Sequence, residues 1–115
     1  MHGTVILVTK AQLGTVDPAD AEFGTEMLDK FFHTLERRKE RPKAICFYTE
    51  GVKALAKGSS LELGLGLLHG LGVPLLACGS CVERYGLTDK LAVGDVVGMP
   101  DIVELMAQAD KVITI

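Results

Sequence analysis

Val73-Pro74-Leu75-Leu76-Ala77-Cys78-Gly79-Ser80-Cys81 runs from a short apolar stretch straight into two cysteines three positions apart. Val73–Ala77 has no polar alternation, which fits a strand covered on both faces, as in a parallel sheet packed between helices. Three more runs share this character: Thr4-Val5-Ile6-Leu7-Val8, Ala44-Ile45-Cys46-Phe47-Tyr48 and Lys111-Val112-Ile113-Thr114-Ile115. Helical patterns separate them. Strands alternating with helices predict right-handed crossovers and an α/β fold with a mostly parallel sheet of four or five strands.

Asp17-Pro18 reads as a helix start, a capping carboxylate before a proline at the first helical position. Phe23, Met27, Phe31 and Leu35 then recur every four residues, flanked by Leu28 and Phe32. They predict an amphipathic helix from about Pro18 to Lys39, with Glu26, Lys30, His33 and Arg37 on its wet side. Gly51 to Gly58 reads as a loop or a short helical turn. Ser59 with Glu62 predicts a capping box for a second helix, about Ser60 to Gly70. Leu61, Leu63, Leu65, Leu67, Leu68 and Leu71 leave that helix no polar face, so it needs cover on more than one side. In a domain this small, a subunit interface is the expected cover. Residues 82–98 read as irregular with a short helical turn. A last helix is predicted from Pro100 to about Gln108, with Ile102, Val103, Leu105 and Met106 inward.

One hydrophobic core accounts for all 115 residues, so 1–115 is read as a single domain. The net charge of −3 argues against a nucleic-acid partner, because such proteins cluster Lys and Arg against phosphates. The one basic run, Arg37-Arg38-Lys39 with Arg41, falls at a helix end, where cations complement the dipole. Residues 63–82 carry no Asp, Glu, Lys or Arg, but Gly64, Gly66, Gly70, Gly72 and Pro74 divide them into a helix and a strand. No membrane span is therefore expected. The amino-terminal residues enter a strand by Thr4 and show no export signal, and the three cysteines are an odd number. Both features predict a cytoplasmic protein rather than a disulfide scaffold.

The chemistry gathers at Cys78 and Cys81. Reactive groups in open α/β sheets collect at the carboxyl ends of strands, where Cys78 stands. A helical turn after it would set backbone N–H groups against its sulfur and favour the nucleophilic thiolate. The spacing of three brings Cys81 to the same side, fit to resolve a persulfide or disulfide on Cys78. Gly79 allows a sharp turn with open access. Four readings follow: a persulfide sulfur carrier, a dithiol redox protein, a metal site, or two small residues in a turn. The metal reading is weak, since zinc asks for four ligands and no second pair is present. Cys46 reads as a buried hydrophobe, and His69 as a core or interface histidine. Gly64-Leu65-Gly66 lies inside a helix and is no dinucleotide fingerprint. Lys53 and Lys57 follow the neighbouring strand and would either bring positive charge to the cysteine mouth or stand as exposed loop lysines.

The sequence resembles the DsrE/DsrF-like sulfur-relay family, most closely the DsrE-like domain of YedF-type proteins linked to selenium metabolism. The resemblance rests on Leu13-Gly14, Phe31-Phe32-His33-Thr34-Leu35, Gly51-Val52-Lys53, Gly58-Ser59, Ala77-Cys78-Gly79-Ser80-Cys81, Tyr85-Gly86-Leu87, Val93-Gly94, Met99, Asp101-Ile102-Val103 and Ala109-Asp110-Lys111-Val112-Ile113. It implies a three-layer α/β/α domain assembled as a dimer, trimer or hexamer. It also implies that Cys78 carries sulfur and that Cys81 is the second thiol of the YedF-type branch; Gly79, Ser80, Gly51 and Lys53 are read as substrate-binding or supporting residues around them. YedF-type proteins commonly carry a TusA-like domain, so the resemblance points to a separate TusA-like or other sulfur-relay partner. Glu50 and Gly98 stand where that branch often has asparagine, and Ser80 where it often has threonine.

The expected function is sulfur handling, as a carrier or sulfurtransferase component with a Cys78 persulfide and no cofactor. The alternatives are a non-catalytic module that binds a small ligand or partner near Cys78, and a dithiol/disulfide redox protein. The last lacks the tryptophan and the proline loop that thioredoxin-like proteins set against the pair.

Overall fold

A computed structural model describes residues 1–115. Its five strands are β1 (Thr4–Val8), β2 (Ala44–Phe47), β3 (Leu75–Cys78), β4 (Asp95–Val97) and β5 (Lys111–Thr114), all parallel, in the order β4-β3-β2-β1-β5. The helices are α1 (Ala21–Arg37), α2 (Glu62–Gly70), α3 (Gly79–Arg84) and α4 (Met99–Gln108). The expected three-layer α/β fold is present. β4 supplies the fifth strand, inside the stretch expected to be irregular. With three residues between Gly94 and Gly98, it is too short to carry a periodic signal.

Side-chain alternation along the strands divides the core in two. Ile6, Val8, Ile45, Phe47, Leu75 and Ala77 point to one face, where Leu28, Phe32 and Leu35 of α1, Leu65 and Leu68 of α2 and Leu61 just before α2 cover them. Val5, Leu7, Cys46 and Cys78 point to the other, under Ile102, Leu105 and Met106 of α4. α4, which links β4 at one edge of the sheet to β5 at the other, packs on that second face, with Tyr48 and Cys81 against the same cluster.

Asp17 accepts the Ala19 N–H at 2.9 Å and opens a 3-10 turn, Pro18–Asp20, that leads into α1. The buried line of α1 is Gly24, Leu28, Phe32 and Leu35, one residue around from the expected Phe23-Met27-Phe31 stripe. Gly24 packs closely against Gln12 and Val16 of the connector, and Phe23 lies exposed beside it. In α4 Ile102 is buried and Leu105 and Met106 are half-buried against the sheet, leaving Val103 outside rather than inward as expected. At the start of α2, the Ser59 hydroxyl oxygen accepts from Leu61 N–H at 3.1 Å. Glu62 reaches back to Gly58 N–H at 2.9 Å, one residue earlier than a regular capping box.

Candidate functional site: a thiol pair at the carboxyl edge of the sheet

β3 ends on Cys78, and α3 begins at the next residue. Gly79 makes this immediate turn feasible: a Cβ there would stand 3.2 Å from Val96 of β4. Cys78 therefore occupies the position before the first turn of α3, and Cys81 follows on that turn. The sequence expectation of a strand passing directly into a helical turn is met.

The two sulfurs differ in access. Cys78 is only 4% exposed and packs with Val5, Leu7, Cys46 and Ile102. The expectation of an open Cys78 at the rim is corrected here. Cys78 shares the sheet face of Cys46 and Leu7, so its side chain packs with Ile102 of α4 rather than turning outward. Cys81 is half-buried and is the more open thiol of the pair, packing against both halves of the core.

Cys81 Sγ accepts the backbone N–H of Thr49 at 3.0 Å. Burial pushes the Cys81 thiol up, the Thr49 N–H pulls it down by favouring the anion, and the neighbouring Cys78 thiol pushes it up again. Thr49 opens a 3-10 segment, Thr49–Leu55, directly after β2. It is the one non-glycine residue with positive φ, at 48°. The left-handed region is uncommon for a β-branched residue. Its hydroxyl lies 2.8 Å from the Tyr48 carbonyl and 3.1 Å from the Thr9 carbonyl, donating across to the end of β1.

Gly51 is pressed onto the end of β1, with the Val8 carbonyl where a Cβ would stand. Lys53 lies 4.6 Å from the centre of the Tyr85 ring and 3.9 Å from Glu50, which brings its charge beside α3. Tyr85 closes α3 by donating its N–H to the Cys81 carbonyl at 3.1 Å. Ser80 is exposed. The structure thus brings Cys78, Gly79, Ser80, Cys81, Gly51 and Lys53 to one end of the sheet. Thr49 was not legible beforehand, because no residue pattern announces a threonine in left-handed backbone.

Cys46 is fully buried on β2, and burial pushes its thiol to about 11. His69 is exposed on α2, so it is not a core residue. The larger groove on the surface, about 460 Å³, runs along α2 beside Ala92 and Val93 and includes neither cysteine. The second groove, lined by Lys30, His33, Thr34 and Arg37, also includes neither cysteine. No helix is long and apolar enough to cross a membrane.

A five-stranded parallel sheet with a thiol pair at its carboxyl edge defines a small α/β protein of the cysteine-bearing kind. The chain belongs to the DsrE/DsrF-like family, whose model matches residues 31–115. No curated protein matches it. Among solved structures it is similar to the YchN protein from E. coli, at 18% identity over 100% of both chains with a TM-score of 0.69. It is also similar to MTH1491 from Methanobacterium thermoautotrophicum, a protein of unknown function, at 22% identity over 97% of each chain with a TM-score of 0.71. BT1422 from Bacteroides thetaiotaomicron, likewise of unknown function, matches at 18% identity over 98% of this chain and 95% of its own, with a TM-score of 0.66. These likenesses establish the fold.

Proposed function

We propose that the chain is a sulfur carrier or sulfurtransferase component, in which the Cys78–Cys81 pair takes up sulfane sulfur as a persulfide and yields it to an acceptor thiol. The observation that carries this reading is the pairing of an open, hydrogen-bonded Cys81 sulfur with a buried Cys78 thiol at the sheet's carboxyl edge. The contrast in burial supports placing the outer sulfur on Cys81 rather than on Cys78, the reverse of the order that the resemblance implies. Cys81 meets the donor and holds the outer sulfur, and Cys78 stands behind it as the second thiol. Membership in the DsrE/DsrF-like family supports a sulfur-relay role, with a separate sulfur-relay protein as the exchange partner.

Homo-oligomer formation belongs to the same proposal. Leu63 is 70% exposed, and Leu67 and Leu71 share its side of α2. Gly66 and Gly70 lie on that side too and let another backbone approach closely. A second copy of the chain is the occupant proposed for this face, in keeping with the oligomers that the family resemblance implies.

Intact mass after exposure to polysulfide tests the sulfur reading. One added sulfur atom is expected in the wild type, in Cys46→Ser and in Cys78→Ser, and none in Cys81→Ser. Wild-type protein that takes up no sulfur would overturn it. A dithiol/disulfide protein is the second reading, favoured by the packing of Cys81 against the cluster that holds Cys78. It would give a Cys78–Cys81 disulfide with no added mass of sulfur.

A further inference from the structure

We propose that Thr49 is a positioning residue for sulfur transfer, its strained turn built to aim one N–H at the Cys81 sulfur as that sulfur becomes a thiolate. Three observations converge on it. Thr49 alone among non-glycine residues holds positive φ. Its hydroxyl lies against the Tyr48 and Thr9 carbonyls, which fixes the left-handed conformation from the ends of β2 and β1. The N–H set free by this geometry donates to Cys81 Sγ at 3.0 Å rather than to any backbone carbonyl. Strain of this sort persists only where the surroundings over-determine it, and it gathers at functional sites.

The catalytic meaning of this contact rests on the sulfur-carrier reading. An acceptor thiolate attacks the outer sulfur of a Cys81 persulfide. The new S–S bond forms to the acceptor, the bond to Cys81 breaks, and its electron pair goes to Cys81 Sγ. The acceptor leaves as a persulfide carrying the outer sulfur and its proton, while Cys81 remains as a thiolate. Atoms and charge balance with no oxidant or reductant. The Thr49 N–H faces the atom on which negative charge develops, in a half-buried position where one such donor counts for more than in water. Burial and the Cys78 thiol oppose the anion at Cys81 and leave its thiol raised overall, and the Thr49 N–H is the one contact that works against them. Nearby, Glu50 and Lys53 pair with each other, and Lys53 rests over Tyr85, so their charges are already engaged.

The test is the pH profile of Cys81 alkylation by iodoacetamide, read by site-resolved peptide mass, in sulfur-free protein. Thr49→Val keeps the branched shape and removes the hydroxyl that holds the turn. The Cys81 midpoint is expected to rise by about one pH unit, and sulfur transfer from the loaded protein to a small thiol to slow by about tenfold. Thr49→Asn, whose side chain tolerates left-handed backbone, is expected to stay close to the wild type in both. Thr49→Ala serves as the loss variant should the valine protein not fold. Slow labelling of Cys46 reports that each variant is folded. An unchanged midpoint in a folded loss variant, or an equal rise in Thr49→Asn, would overturn the proposal. The alkylation arm needs no persulfide, so it decides the role of Thr49 even where the sulfur-carrier reading fails.

Discussion

Gly51 sits against the carbonyl oxygen of Val8, so close that a Cβ on residue 51 would overlap it. The same carbonyl accepts the Tyr48 N–H at 3.1 Å. The end of β1 and the turn after β2 are therefore fastened at one point, and Thr49 lies within that turn. Gly51→Ala is expected to lower stability by at least about 1–3 kcal/mol, the range for overpacking a fitted site, because the opposing atom is backbone and yields little. Urea denaturation checks this, and Cys81 alkylation should change together with stability.

Gly66 gives the opposite outcome. It lies mid-helix in α2, its φ is not positive, and a Cβ there meets nothing within 4 Å. Gly66→Ala is expected to raise the stability of the separated chain by about 0.5–1 kcal/mol through helix propensity alone. A fall in self-association in the same variant would show that the missing side chain matters to a neighbouring copy.

Cys46 makes stability pH-dependent in the alkaline range. Burial raises its thiol from 9.0 to about 11, so the folded state binds the proton more tightly than the unfolded one. The resulting stabilisation is complete below about pH 9 and fades as pH rises towards 11, with a size on the order of 2 kcal/mol. Denaturation midpoints measured from pH 8 to pH 11 should fall in the wild type and fall less in Cys46→Ala. In the folded protein Cys81 should alkylate first and Cys46 last.

The outward side of α2 predicts assembly. Leu63, Leu67 and Leu71 form an apolar line of the sort that monomers seldom leave in water. Leu67→Glu is expected to shift sedimentation towards the single chain while leaving the circular dichroism spectrum unchanged. Wild-type protein that sediments as a monomer would remove the basis for this interface.

Strands buried on both faces were readable from their unbroken apolar runs, and Thr4–Val8 keeps its expected limits. The helix phases were less so. Phe23 has the spacing of a core residue, but Gly24 beside it is the one packed against the connector residues Gln12 and Val16. β4 was missed because its side chains are mostly exposed and its order comes from pairing with Leu76, Ala77 and Cys78. At the site, the CxxC spacing and the apolar run before it placed both cysteines where β3 passes into α3. Which thiol faces outward was not legible, since it depends on the sheet face Cys78 shares with Cys46 and on where α4 packs.

The pairing of β1 with β5 has a consequence for how the chain acquires its shape. Thr9 bonds through its hydroxyl to the Ile115 carbonyl, 106 positions away, and Ile115 N–H returns to Leu7. β1 thus waits for β5, made after the other four strands of the sheet, before its second edge is closed. Until then β1 presents unpaired amides that another chain can borrow, so removing residues 111–115 should yield a species prone to aggregation rather than a trimmed native domain.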